Sequence, residues 1–243
     1  MNFNFTNTTI ARTNGSKSLI RFGFTNSIYY SDIEMTTVMA GSKAALSWGL
    51  NNNKTVLLNN DLDLGSDDAG ITIASGATAT LDLNGFTLSQ EYATTTTYAM
   101  IENKGNLTIT DSSSEKNGKI SYKDITVYTA DVNYASNTIR NEGTLTLEAG
   151  TIENISGDDV MNFGYPHAID VYQGSTTNIK GGTVKSANYD CIRMFCNSTT
   201  LATTVNISGG NIIKITDEII RDPGCPGAGG KEGGEGHLVF IIH

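Results

Sequence analysis

Positive charge is scarce in this 243-residue chain: 16 Lys and Arg stand against 25 Asp and Glu, a formal net charge of -9. A nucleic-acid binder needs a basic footprint to displace counterions from phosphates, so no nucleic-acid partner is expected. Long hydrophobic runs are missing too. No stretch approaches the roughly 20 apolar residues a helix needs to cross a bilayer, so membrane insertion is not expected. Proline and cysteine are down to three residues each. Cys191, Cys196 and Cys225 lack zinc-site spacing, so no metal is assigned to them. Cys191 and Cys196 read as small apolar fillers. Charged residues reach only 17% and hydrophobic ones 38%, leaving the balance to Thr, Ser, Asn and Gly. Ile, Leu and Val nevertheless recur at regular places, which excludes disorder throughout.

That regularity is a repeat. Gly85-Phe-Thr-Leu88, Gly118-Lys-Ile120, Gly150-Thr-Ile152, Gly182-Thr-Val184 and Gly210-Asn-Ile212 are copies of one turn-plus-strand unit, their apolar members 32, 32, 32 and 28 residues apart. A second alternating strand precedes each: Leu81-Asp-Leu83, Leu107-Thr-Ile109, Leu145-Thr-Leu147, Thr177-Asn-Ile179 and Val205-Asn-Ile207. A third set is Ile101-Glu-Asn103, Ile139-Arg-Asn141, Ile169-Asp-Val171 and Ile192-Arg-Met194, with Ile71-Thr-Ile73 as a looser early copy. Three short strands of period 2, joined at Gly or Asn corners, cannot bury their apolar sides alone. Coiled into a solenoid, each strand stacks on its equivalent in the next rung and alternate side chains fill a central core. The expectation is an all-β parallel β-helix of about five or six rungs. A hairpin sandwich would place Asn-Gly turns between neighbouring strands, but Asn84-Gly85 and Asn117-Gly118 sit at equivalent places one rung apart.

The stretch from Ala44 through Lys54-Thr-Val-Leu-Leu58, Asp61-Leu-Asp-Leu64, Ile73-Ala-Ser-Gly-Ala77 and Leu81-Asp-Leu-Asn-Gly-Phe-Thr-Leu88 resembles the opening of pectate-lyase-like right-handed parallel β-helix proteins, including bacterial surface and phage fibre-like members. The likeness covers roughly residues 40–215. The right hand of the solenoid is what this resemblance implies, and so is a homotrimer as the expected assembly.

The ends differ from the middle. Residues 1–35 fit neither period and are expected to be an anchor or assembly segment. Residues 36–53 are expected to form a capping helix over the first rung, because Ser42 is a suitable N-cap and Ala45, Leu46, Gly49 and Leu50 share one face. Residues 54–221 are assigned to the β-helix. Residues 222–243 form a Gly-rich tail ending in Leu238-Val-Phe-Ile-Ile242, which reads either as a linker with an association strand or as non-native sequence. The first residues, Met1-Asn-Phe-Asn-Phe-Thr6, lack the features of a secretory signal. The expected location is therefore a virion, with an extracellular or cell-surface position as the alternative.

Chemistry-bearing patterns are few. Stacking the third strands puts Glu102, Arg140, Asp170 and Arg193 in one outward column of alternating sign, with Lys104, Glu142, Tyr172 and Phe195 beside it. A lyase needs several oxygens on one calcium ion, and interposed arginines work against that, so the column reads as a charge ladder. Asn103 and Asn141 are expected to point inward as an amide ladder. No definite carboxylate pair for glycoside hydrolysis stands out. His167 reads as a corner residue. Gly229-Gly-Lys231 lacks the strand and helix of a phosphate loop. No catalytic residue, metal or cofactor is assigned.

The remaining signal is aromatic. Insertions at one corner, taken as Ser89–Tyr98, Ser121–Ser136, Glu153–Pro166 and Lys185–Tyr189, carry seven of the ten tyrosines. Rings beside hydrogen-bonding acids suit sugars, whose C–H faces are apolar and whose rims are hydroxylated. The candidate ligand residues are Tyr122, Tyr128, Tyr134, Asp158, Asp159, Tyr165 and Tyr189. The functional expectation is a non-catalytic attachment protein presenting this side to a polysaccharide or cell-surface glycan. The alternatives are a β-helix polysaccharide lyase or glycoside hydrolase, and a purely structural assembly module.

Overall fold

The computed structural model describes residues 36–66, 70–93, 96–126, 135–156, 166–187, 189–195 and 201–214. The expected segments 1–35 and 222–243 lie outside these residues. Strand β1 (Thr37–Ala40) leads into helix α1 (Lys43–Asn51). Five turns of three strands follow. They are β2 (Thr55–Leu58), β3 (Leu62–Asp63) and β4 (Ile71–Ile73); then β5 (Thr78–Asp82), β6 (Thr87–Tyr92) and β7 (Tyr98–Asn103). Next come β8 (Asn106–Thr110), β9 (Lys119–Asp124) and β10 (Ser136–Asn141); then β11 (Thr144–Leu147), β12 (Thr151–Asn154) and β13 (Ile169–Val171). The last turn is β14 (Thr176–Ile179), β15 (Thr183–Ser186) and β16 (Ile192–Met194), and β17 (Thr204–Ile207) and β18 (Asn211–Lys214) begin another.

Equivalent strands of successive turns pair in parallel. The first sheet runs β1-β2-β5-β8-β11-β14-β17, the second β3-β6-β9-β12-β15-β18 and the third β4-β7-β10-β13-β16. This is a parallel β-helix, and the three sheets fit the right-handed form implied by the resemblance. The register matches the repeat: Leu88 faces Ile120, Ile120 faces Ile152, Ile152 faces Val184 and Val184 faces Ile212. Inside, Val56, Leu81, Ile109, Leu147 and Ile179 form the ladder of the first sheet and Ile71, Ile101, Ile139 and Ile169 that of the third, all buried. Burying each such side chain contributes about 1.5–3 kcal/mol.

The first sheet begins earlier than expected, since β1 lies within the segment read as a helical cap and pairs with β2 from Thr37 to Ala40. The helix itself follows its sequence. The Ser42 hydroxyl accepts the Ala45 N–H at 3.3 Å. Ala45, Leu46, Gly49 and Leu50 are its buried face, and Trp48 is half-buried.

Two devices hold the corners. Gly85, Gly150, Gly182 and Gly210 have φ between 81° and 85°, save Gly182 at 70°. A Cβ on Gly182 would lie 2.5 Å from the Gly150 carbonyl oxygen, so both conformation and space demand glycine there. Two acids then tie turn to turn. Asp82 Oδ1 accepts the N–H groups of Asn84 (2.9 Å) and Ser112 (2.8 Å). Asp111 Oδ1 accepts those of Gly85 (2.9 Å) and Ser113 (3.0 Å), while its Oδ2 accepts that of Gly118 at 2.6 Å.

At the opposite corner the amide ladder is present. Asn103 Nδ2 donates to Asn141 Oδ1 at 2.8 Å, and Asn141 Nδ2 donates to the Thr177 hydroxyl at 2.9 Å. A ladder of this kind satisfies buried amides and locks the register between turns.

The outward side of the first sheet carries two polar columns, flanked by a mixed third of Met39, Leu57, Asp82 and Thr110. Thr37, Thr55, Thr80, Thr108 and Thr146 stand in register and continue into Asn178 and Asn206. Two residues earlier along the strands a second column holds Thr78, Asn106, Thr144, Thr176 and Thr204.

Candidate functional site

The insertions leave at the corner between the second and third sheets, but later than the sequence was read to place them. Ser89–Tyr92 belongs to β6, Ser121–Asp124 to β9, and Tyr98 opens β7. The period-2 alternation simply continues through these residues. Ile120 points into the core, and so does Tyr122 two positions later. Tyr122 is therefore corrected: its ring is 0% exposed and belongs to the core, 5.7 Å from the ring of Tyr98, so it offers no ligand surface in this conformation. Its inward column contains Gln90, Asn154 and Ser186, all 1% exposed. Tyr189 is half-buried, its ring edge-on to His167 at 6.1 Å. Tyr128, Tyr134, Asp158, Asp159 and Tyr165 lie outside the described residues.

Beside this corner, on the outer face of the second sheet, is an open groove of about 180 Å³ lined by Asp63, Ser89, Gln90, Glu91, Ser121, Lys123 and Ile155. Its cause is local. Ser89 and Ser121 face each other in neighbouring strands, so two short side chains follow one another while the adjoining column is long. That column pairs Glu91 with Lys123 at 3.4 Å and ends near Ile155, 38% exposed. Beyond Ser121 the floor rises at Glu153, which Lys119 (3.0 Å) and Lys185 (4.0 Å) approach from either side. Hydroxyls, a carboxylate–ammonium pair and one apolar side chain therefore line the groove together. The sequence signal lies in Ser89, Glu91, Ser121, Lys123 and Ile155, one or three places after the apolar ladder members Leu88, Ile120 and Ile152 and inside the segments expected to be insertions.

On the other flank, the third sheet carries the alternating column in the expected register: Glu102 beside Arg140, Arg140 beside Asp170, Asp170 beside Arg193. The contacts are more specific than a simple ladder. Arg193 grips Asp170 with two bonds of 2.9 Å, from Nε to Oδ1 and from an amino nitrogen to Oδ2. Asp170 is 1% exposed, and a charge so buried needs such a partner. Arg140 instead pairs along its own strand direction with Glu142 at 2.9 Å, and Lys104 with Glu102 at 3.1 Å. Next to them the Tyr172 and Phe195 rings stack at 5.1 Å and 17°, and the Arg140 guanidinium lies 4.3 Å from the centre of the Tyr172 ring. One face of Tyr172 meets Phe195 and another contact is taken by Arg140, so this stack reinforces the outer sheet.

His167 is 2% exposed, and neither ring nitrogen makes a well-formed hydrogen bond among the described residues. Burial holds its pKa well below the ordinary histidine value, and the Arg193 charge pushes the same way. It is therefore a neutral imidazole at pH 7. Burial also pushes the Cys191 thiol up to about 11, which leaves it an inert filler. Among the described residues no group of three or more His, Cys, Asp or Glu side chains is placed to hold a metal ion. Cys196 and Cys225 lie outside the described residues.

Comparison with family models, curated proteins and solved structures finds no match for the chain.

Proposed function

We propose that this chain is a non-catalytic attachment protein of the surface or virion-fibre type, which presents its insertion side to a polysaccharide or cell-surface glycan. The observation that carries this reading is the groove of Asp63, Ser89, Glu91, Ser121, Lys123 and Ile155 on a stiff solenoid, at the corner from which the insertions leave. Sugar recognition needs hydroxyl partners next to an apolar patch on a preorganised surface, and those groups meet there. The pairing of acids with bases supports attachment over bond cleavage: Asp170 is occupied by Arg193 and Glu91 by Lys123. Such a role belongs on a virion or at a cell surface, and a homotrimer remains the assembly implied by the resemblance. Ser121→Arg fills the groove from its floor. It is expected to abolish retention on a polysaccharide that the parent chain binds, with the far-UV circular dichroism unchanged. Unchanged retention would move the ligand away from this groove.

A further inference from the structure

The outward side of the first sheet is the most regular surface of the molecule, and the groove does not use it. Two of its columns place nine threonines and three asparagines in register across seven strands, with no charged residue among those twelve. Every member is half-exposed or exposed. Two asparagines are tied within the array: Asn106 donates to Thr78 at 3.2 Å and Asn206 to Asn178 at 2.9 Å. The hydroxyls of Thr80, Thr108, Thr144, Thr146 and Thr176 have no hydrogen-bond partner among the described residues. They stand about 4.8 Å apart between strands and roughly 6.6 Å apart along them.

Three properties of this array select a ligand. First, the two columns themselves hold no cation for an acidic polymer, the flanking Lys180 is paired with Glu148 at 3.6 Å, and the chain carries a net charge of -9. Second, each threonine supplies a methyl group beside its hydroxyl, giving alternating apolar and hydrogen-bonding points. Third, the period along the solenoid axis is the strand spacing, comparable in length to one residue of an extended sugar chain. A protein partner fits poorly. Interface cores draw on aromatic residues and arginine, and these columns contain neither. A second copy laid face to face would bury hydroxyls against hydroxyls.

We infer that the Thr/Asn face of the first sheet binds an uncharged, extended polysaccharide lying along the solenoid axis, about one sugar per strand. This rests on the attachment reading only in taking a glycan as ligand, since the surface is a different one from the groove.

The test is retention of the full chain on insoluble neutral polysaccharides (cellulose and chitin) and on calcium alginate and calcium polygalacturonate gels. The double variant Thr108→Val and Thr146→Val removes two hydroxyls with almost no change in shape. Thr108→Ser with Thr146→Ser keeps them, and Ser121→Arg serves as the groove control. The expected result is retention on a neutral polymer, weakened at least tenfold by the valine pair, largely kept by the serine pair and insensitive to 0.5 M salt. Retention lost only in Ser121→Arg overturns the inference while the groove reading stands. Preference for the acidic gels overturns it too. Concentration-dependent self-association that the valine pair abolishes would show the face to be a contact between copies, again overturning it. Absence of retention on every polymer removes both this inference and the attachment reading.

Discussion

Replacing Asp111 with alanine should weaken the solenoid more than any other single polar deletion at its corners. The carboxylate is 0% exposed and accepts three backbone N–H groups, from Gly85, Ser113 and Gly118, drawn from two successive turns. Alanine strands all three donors. Each buried orphan costs about 1–3 kcal/mol, and bonds to a charged acceptor sit at the upper end, so a loss of at least ~3 kcal/mol is expected after partial relaxation. An asparagine side chain at this position would keep the acceptor at Oδ1 but turn an NH₂ toward the Gly118 N–H, so Asp111→Asn should cost about 1–3 kcal/mol. The pH dependence has a definite sign. Burial pushes the Asp111 carboxyl up, but the Ser113 hydroxyl and the N–H groups of Gly118, Ser113 and Gly85 outweigh it and leave the pKa below the usual carboxylate value. A group lowered in the folded state contributes its stability above the unfolded value of about 3.9 and loses it as pH falls through the folded value. Urea denaturation at pH 7 and along an acid series measures both effects, and hydrogen exchange at the Gly118 amide localises the damage. An alanine variant within ~1 kcal/mol of the parent, or one indistinguishable from Asp111→Asn, would refute the reasoning.

Gly182→Ala combines a positive φ with a Cβ 2.5 Å from the Gly150 oxygen; a loss of about 2 kcal/mol or more in thermal unfolding is expected. Arg193→Met leaves the buried Asp170 charge with the 3.4 Å bond from Asn137 Nδ2 in place of its ion pair and should cost about 3–5 kcal/mol by denaturant titration, whereas replacing both Asp170 and Arg193 with apolar residues should restore much of it. His167 is held neutral by burial and by Arg193. Its contribution is fully present above the ordinary histidine value of about 6.5 and declines below it, because the unfolded chain takes up a proton that the folded one excludes. In His167→Gln the stability between pH 7 and pH 5 should flatten relative to the parent.

Much of the fold was legible because its signals are local and repeated. Leu88, Ile120, Ile152 and Val184 recur at one interval, and a one-residue slip would turn every one of them to solvent, so the pattern admits one register. The glycines of Gly150-Thr-Ile and Gly182-Thr-Val were readable for the same reason. The site was less legible. Tyr122 falls inside the expected insertion Ser121–Ser136, yet the alternation from Ile120 carries its ring inward. Asp170 was expected as an outward ladder member and is on the outward side, but its burial depends on what converges over it from separate turns, which spacing alone does not express. The groove arises from a deficit, two short serines in adjacent strands, and a deficit leaves no motif. The Thr/Asn columns were hidden in a composition in which threonine and asparagine are common everywhere; only the register aligns them.

The central claim, attachment without cleavage, is tested by one incubation. The full chain is mixed with a panel of neutral and acidic polysaccharides, and retained protein and newly formed chain ends are scored in the same samples. The account predicts retention on at least one glycan with no new ends, reducing or unsaturated, with or without calcium. New ends would contradict it and return a catalytic group to the paired acids and bases of the outer sheets.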